Sequence, residues 1–394
     1  MSKISKLGKI LNGKSIPSEK GIYPAFGGNG VIGHVNKFNF DENTVVIGRV
    51  GANCGAVHFS DDKCWVTDNA LAFIVENANP YYVYLLLQFL NLNKYHIGSS
   101  QPLLTQNIIS NIEYNFVDNK LTQDKVALVI KSIDRKISNN NKINAELESL
   151  AKTIYDYWFL QFEFPNEEGK PYKSSGGKMV WNEELKREIP EGWAYSLLKD
   201  KFSIKRGISY TSDDIKNNNG IPMLNLACID TNRNYRDGEL KFYSGKAKAE
   251  FLSSDDLIVA STDLTRNADI VGSPILVPQT GEKFIFSMDL VKLIPNEDIF
   301  DKYYLYMCLR TDFYHNYIKK WASGTNVLHL NLDGISWYKT WIPPKKIQNK
   351  FSNIIKKIHS KKGIILKENR ELSSLREFLL PMLMNGQISF SEGK

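Results

Sequence analysis

The chain of 394 residues is 42% apolar and 12% aromatic, which excludes a disordered or fibrous protein and predicts two or three globular domains. Lys and Arg exceed Asp and Glu by 50 to 43, a formal charge of +7, which permits a polyanionic partner without requiring one. Cys54, Cys64, Cys228 and Cys308 form no C-x-x-C pair and exclude a disulfide framework; with no apolar leader in MSKISKLGKI and no run long enough to span a bilayer, the expectation is a soluble, cytoplasmic protein with no membrane partner.

The first block, residues 1–120, opens without a strong strand. Within YPAFGGNGVIG, Gly28, Gly30 and Gly33 spell G-x-G-x-x-G. That fingerprint binds a dinucleotide only when it joins a buried strand to a helix. Upstream lie two prolines and no long apolar run; downstream, HVNKFNFDENTVVIG has the β-branched and aromatic residues of strands and turns. The stretch therefore predicts a glycine-rich β turn and no cofactor. A strand at VVIG leads into a second glycine-rich segment, GRVGANCG.

From residue 121 to 160 the pattern changes to a helix. Val126, Ile130, Ile133, Ile137, Asn140, Asn144, Leu147, Ala151, Ile154 and Trp158 step by alternating fours and threes, a heptad seam. Residues 161–190, rich in Pro, Gly, Ser and charge, read as an extended linker. A second block, 191–345, carries a strand at LIVA followed by STDLTRNADIVG, and then WASGTNVLHLNLDGI. Over 346–388 a second seam runs through Phe351, Ile355, Ile358, Lys362, Ile365, Asn369, Leu372, Arg376, Leu379 and Leu383.

The two helices repeat one another at a constant offset, Gln123 falling on Gln348, Asn144 on Asn369 and Leu147 on Leu372. A duplicated order of block then helix predicts an α+β chain of two similar globular blocks in pseudo-twofold tandem repeat. Two long antiparallel coiled-coil helices join them, with Asn140, Asn144 and Asn369 fixing their register. Two unlike blocks on such a spacer suit two separated half-sites on duplex DNA.

LREFLLPMLMNGQIS at the C-terminus, FEFPNEEGKPYKSSGGKMVWNEELKREIPEGW in the linker, YPAFGGNGVIG and WASGTNVLHLNLDGI resemble the DNA-specificity (S) subunit of type I restriction–modification systems over essentially the whole chain. The resemblance implies two α/β target-recognition domains reading a bipartite sequence in double-stranded DNA, helices that dock two modification (methyltransferase) subunits, and restriction subunits that join the complex. One departure is that the first block lacks the Pro-Glu-Gly-Trp lead of the second, which leaves two readings: an edge element missing there, or a misplaced start codon. The resemblance also leaves open a methylation-only or fused restriction system.

Base readout needs planar donors and acceptors on loops. The candidates are Lys14, Ser15, Asn29, Arg49, Asn53 and Asn69 in the first block. In the second they are Arg206, Tyr210, Asn225, Arg233, Arg236, Arg266, Asn267, Thr325 and Asn326, with Arg266 and Asn267 placed like Arg49 and Asn53 after a strand. Lys319 and Lys320 suit phosphates, whereas His34 and Cys54 stand alone and read as structural. Tyr155, Trp158, Phe159, Leu379, Leu380, Met382 and Met384 exceed what a two-helix seam buries and are expected to be exposed for partner docking.

No phosphate-binding loop, adenine-methyltransferase box, H-E-x-x-H, G-x-S-x-G or nuclease carboxylate pair occurs, and Asp61–Asp62 and Asp255–Asp256 read as turn residues. The expectation is a reader with no catalytic residue, metal or cofactor. Its rivals are an oxidoreductase built on GNGVIG, an enzyme with disguised motifs, and a stand-alone DNA-binding regulator.

Overall fold

The computed structural model describes residues 1–98, 101–216, 220–246, 248–265 and 267–388. It divides into two compact units, Met1–Asn139 with Arg370–Lys394, and Asn140–Asn369.

In unit 1 the strands are β1 (Ser2–Lys3), β2 (Gly8–Asn12), β3 (Lys20–Gly27), β4 (Gly30–Val35), β5 (Thr44–Gly48), β6 (Val57–Ser60), β7 (Trp65–Val66) and β8 (Ala70–Val75). Helices α1 (Pro80–Phe89) and α2 (Gln106–Ser110), strand β9 (Glu113–Tyr114) and the start of α3 (Lys120–Tyr155) follow. An antiparallel sheet of order β2-β8-β5-β6 carries the core. β5 is buried along its whole length, as its run of β-branched residues requires at a central position. A smaller mixed sheet has the order β4-β3-β7, with β3 antiparallel to β4 and parallel to β7.

Unit 2 contains β10 (Met179–Asn182), β11 (Arg187–Pro190), β12 (Ala194–Leu197), β13 (Phe202–Arg206), β14 (Ile221–Leu224), β15 (Lys241–Tyr243), β16 (Leu257–Ala260), β17 (Thr262–Asp263), β18 (Pro274–Leu276), β19 (Ile285–Phe286) and β20 (Leu290–Pro295). They are followed by α4 (Lys302–Leu309), α5 (Asp312–Ile318), β21 (Ala322–Ser323), β22 (Leu328–Leu330), α6 (Asp333–Ser336), β23 (Lys339–Ile342) and α7 (Lys345–Met384). The sheets β13-β20-β16-β18 and β15-β14-β19 reproduce strand for strand the order found in unit 1. The tandem repeat is thus one topology folded twice.

The aligned glutamines have one physical role. Gln123 is buried, accepts from Asn79 N at 2.9 Å and donates to Val117 O at 2.6 Å. Gln348 is fully buried, accepts from Asp301 N at 2.8 Å and donates to Pro343 O and Ile299 O at 2.8 and 2.9 Å. Asn79 and Asp301 are the N-caps of α1 and α4. Each long helix therefore satisfies the backbone around the cap of its own block's helix.

Every seam position in α3 and α7 is buried or half-buried. Within unit 2, Asn140 Nδ2 donates to Asn369 Oδ1 at 2.8 Å and to Glu368 at 2.7 Å, Asn369 donates to Asn141 at 2.9 Å, and Glu148 pairs with Lys362. Within unit 1, Arg376 Nε reaches Asp134 at 2.6 Å. Contacts that advance on one helix as they retreat on the other make the pair antiparallel. Of the three seam asparagines, Asn144 is the exception, its Oδ1 buried without a partner among the described residues.

Three expectations are corrected. Residues 161–190 are no extended linker: Phe162, Phe164 and Ile189 lie in the unit 2 core, β10 and β11 form a hairpin, and Trp193 stacks on Phe164. The edge element of the first block is present in short form, since β1 pairs with β9 over two residues where β12 pairs with β23 over four. Tyr155, Trp158 and Phe159 are buried around Phe351 in unit 2, turned inward by a π-helical turn at Asp156–Leu160. Leu380 and Met384 are buried in the unit 1 core with Leu383, and Leu379 and Met382 are half-buried. The globular blocks cover the helix ends, so these side chains offer no free docking face.

Candidate nucleic-acid interface

GNGVIG is the tip of a hairpin. β3 and β4 are joined through Gly28 and Asn29, with Gly27 opposite Gly30 and Gly30 at φ 95°. The tip packs on the end of β5: a Cβ at Gly48 would lie 2.2 Å from Gly28 O and 2.7 Å from Asn53 O. These glycines therefore permit backbone contact and leave no helix N-terminus for a pyrophosphate.

That packing gathers the candidates of the first block at one end of the four-stranded sheet. Arg49 follows β5; its N donates to Asn69 O at 3.1 Å and its Nη1 to Asn12 Oδ1 at 3.3 Å. Its Nε is buried without an acceptor among the described residues. Lys14 N donates to Val66 O, and the Lys14 side chain is exposed, as are Ser15, Asn29, Asn53 and Asn69. Beneath the tip, burial lowers the pKa of His58 and favours its neutral form. His34 stands on β4, and Cys54 is buried with its thiol pushed up by burial. Among the described residues no group of three or more His, Cys, Asp or Glu is placed to hold a metal ion.

The backbone register of unit 2 identifies the equivalent positions. Ser261 N donates to Asp289 O at 2.8 Å where Arg49 N donates to Asn69 O, and Leu330 N donates to Ser261 O where Leu104 N donates to Arg49 O. Asn12 lies opposite Leu71 and Arg206 opposite Val291. The counterpart of Arg49 is thus Ser261, and Arg206 stands where unit 1 has Asn12. This corrects the expected equivalence with Arg266, which lies outside the described residues; Asn267 is exposed on the loop after β17.

The remaining unit 2 candidates separate. Tyr210 accepts from Lys241 Nζ at 2.8 Å, and both line a cavity of about 680 Å³ with Thr211, Ser212, Met288 and Asp289. Arg206 and Arg236 are exposed, the latter bonding Ala227 O at 3.1 Å. Thr325 and Asn326 are exposed in the turn between β21 and β22, where Gly324 adopts φ 136°. Lys319 is partly covered and Lys320 exposed, and both follow α5.

Two candidates are instead structural. Asn225 is 3% exposed, accepts from Ala227 N and donates to Glu239 O and Met223 O. Its amide is consumed by a loop. Arg233 pairs with Asp312, and its carbonyl accepts from Arg310, which also lies 3.8 Å from Glu148 on α3. The Arg233 guanidinium holds the Asp312 carboxyl below its ordinary range. Sequence reasoning missed Asn12 in unit 1 and, in unit 2, Ser261, Asp289 and Lys241: strand register marks the first three, and Lys241, on β15, lines the cavity with Asp289.

A family profile, the Type I restriction modification DNA specificity domain, matches residues 1–149 and 190–374. The chain belongs to that family. Among its curated relatives, the specificity subunit of type I restriction enzyme MjaIX from Methanocaldococcus jannaschii is 26% identical over 79% of this chain and 69% of its own. That of type I restriction enzyme HindI from Haemophilus influenzae is 24% identical over 82% of this chain and 81% of its own. The crystal structure of the S subunit of a type I restriction–modification system from M. genitalium superposes with TM-score 0.66 at 17% identity, covering 99% of this chain and 96% of that one. The fold is therefore that of S subunits, and this chain is a type I specificity-family member built from two unlike copies of one recognition topology. Among the described residues no helix is long and apolar enough to cross a membrane.

Proposed function

We propose that the chain reads a bipartite sequence in double-stranded DNA, each unit contacting one half, while partner subunits supply the chemistry. The observation that carries this reading is the pair of equivalent sheet ends. One backbone register presents Asn12, Arg49 and Asn69 in unit 1 and Arg206, Ser261 and Asp289 in unit 2. A common scaffold with unlike polar side chains suits two unlike half-sites; Ser261, 6% exposed, marks the register rather than reaching a base. Lys14, Ser15, Asn29 and Asn53 in unit 1, with Tyr210, Arg236, Asn267, Thr325 and Asn326 in unit 2, extend the two surfaces. Lys319 and Lys320 add phosphate contacts.

The same helices dock two modification subunits, which restriction subunits then join. The docking face is the apolar set that the cores leave outside. It comprises Leu128 and Phe378 on the unit 1 parts of α3 and α7, 69% and 61% exposed, and Leu150 and Ile364 on the unit 2 parts, 48% and 60% exposed. Docking there requires no unfolding.

Coexpression with a modification subunit and genome-wide mapping of methylated adenines tests the reading: two unlike short sequences separated by a fixed unspecified gap are expected. Seven residues added to both α3 and α7 should widen the gap. A contiguous motif, or tight specific binding by the chain without partners, would favour a stand-alone regulator. Leu128→Asp with Phe378→Asp should abolish methylation with folding intact; unaffected methylation places docking elsewhere.

A further inference from the structure

Asp289 is an unexpected residue for a surface that meets a polyanion. It follows β19 at the position of Asn69, and among the described residues no ion pair neutralises it. Its carboxylate is nonetheless held in one orientation: Thr262 Oγ1 donates to Oδ1 at 3.1 Å and Ser287 Oγ to Oδ2 at 3.3 Å. Both hydroxyls are buried. The carboxylate lines the open cavity beside Tyr210, Thr211 and Lys241.

A fixed, unpaired carboxylate is repelled by phosphates and accepts hydrogen bonds without donating any. Against duplex DNA it is favourable only where it meets a donor. In the major groove the base donors are the amino groups of adenine and cytosine. Adenine sets its N7 acceptor beside N6, which repels a second acceptor, whereas cytosine offers N4 with no acceptor on its own edge. An asparagine amide carries both a donor and an acceptor and matches N6 and N7 of adenine.

We propose that this repeated position fixes one base pair in each half-site, Asp289 selecting cytosine through N4 and Asn69 selecting adenine. The inference rests on the bipartite-reader function and deepens it by naming a specificity-determining pair. Thr262 and Ser287 act as positioning residues, since they aim the carboxylate and do not reach the base.

The test uses the full chain coexpressed with the modification subunit and maps methylated motifs for wild type, Asp289→Asn and Asn69→Asp. Both changes are nearly isosteric, and an unchanged melting curve confirms the fold. Asp289→Asn should change one base pair in one half-site, lowering methylation of the cytosine-containing sequence by about tenfold in favour of adenine. Asn69→Asp should make the reverse change in the other half-site alone. An unchanged motif in both variants, or changes in the half-site opposite to the mutated unit, overturns the proposal. Should the wild-type complex yield no bipartite motif, the reader function itself fails, an outcome visible before either variant is compared.

Discussion

Replacing Gln348 by Leu removes three hydrogen bonds from a fully buried site at nearly constant volume. Asp301 N, Ile299 O and Pro343 O lose partners now at 2.8–2.9 Å. Each of the three buried groups left unsatisfied costs about 1–3 kcal/mol, whereas burying the more apolar leucine returns about 2 kcal/mol, so a net loss of about 1–7 kcal/mol is expected. For a unit of this size that lowers the melting temperature by at least about 2–4 °C. Tryptophan fluorescence resolves the effect, because Trp158, Trp181, Trp193, Trp321, Trp337 and Trp341 lie in unit 2 and Trp65 in unit 1. Gln348→Leu should therefore shift the fluorescence transition, and Gln123→Leu, which breaks two bonds in unit 1, should shift circular dichroism more than fluorescence. A fluorescence transition unmoved by Gln348→Leu would refute the role assigned to the paired glutamines.

Leu380→Asp places a charge in the unit 1 core and should unfold that unit, seen as lost cooperative melting by circular dichroism; a folded variant defective only in partner recruitment would restore the docking reading of this residue. Burial, reinforced by Arg233 and Lys319, pushes the pKa of His315 down to about 4 from 6.5. Between those values the unfolded chain binds more protons, so the stability that neutral His315 contributes to unit 2 is fully present above about 6.5 and is lost as pH falls toward 4; urea titrations should show His315→Gln removing on the order of 2 kcal/mol of that dependence. Exchanging Asn140 and Asn369 together for Leu removes the amide pair at 2.8 Å. Melting temperature should hold or rise while cysteine crosslinks across the helices report more than one register, and a single register would deny the amides that role.

Much of this was legible because α3 and α7 follow strict periodicity. The seams and the equivalence of Gln123 with Gln348 follow from residue spacing, and the antiparallel pairing from the pseudo-twofold symmetry of the repeat. Burial of the helix ends was not legible. Tyr155, Trp158 and Phe159 exceed what a second helix can cover, and nothing local reveals that the block after α3 folds back over them. The segment 161–190 has the composition of a linker, yet Phe162 and Phe164 anchor it, so burial of two aromatics outweighs the polarity of its neighbours. At the candidate interface the glycine-rich segments marked the right region. Matching by residue type failed beyond β16: Arg266 and Asn267 look like Arg49 and Asn53, yet the residue that directly follows the strand is Ser261, and the ladder register shows that Ser261 answers Arg49 and Asp289 answers Asn69.

The central claim is that two copies of one topology read two unlike half-sites. It is tested most directly by replacing the first globular block with a second copy of residues 191–344, coexpressing the modification subunit, and sequencing the methylated sites. Two inverted copies of the half-site formerly read by unit 2 are expected. Retention of the original first half-site would contradict the account.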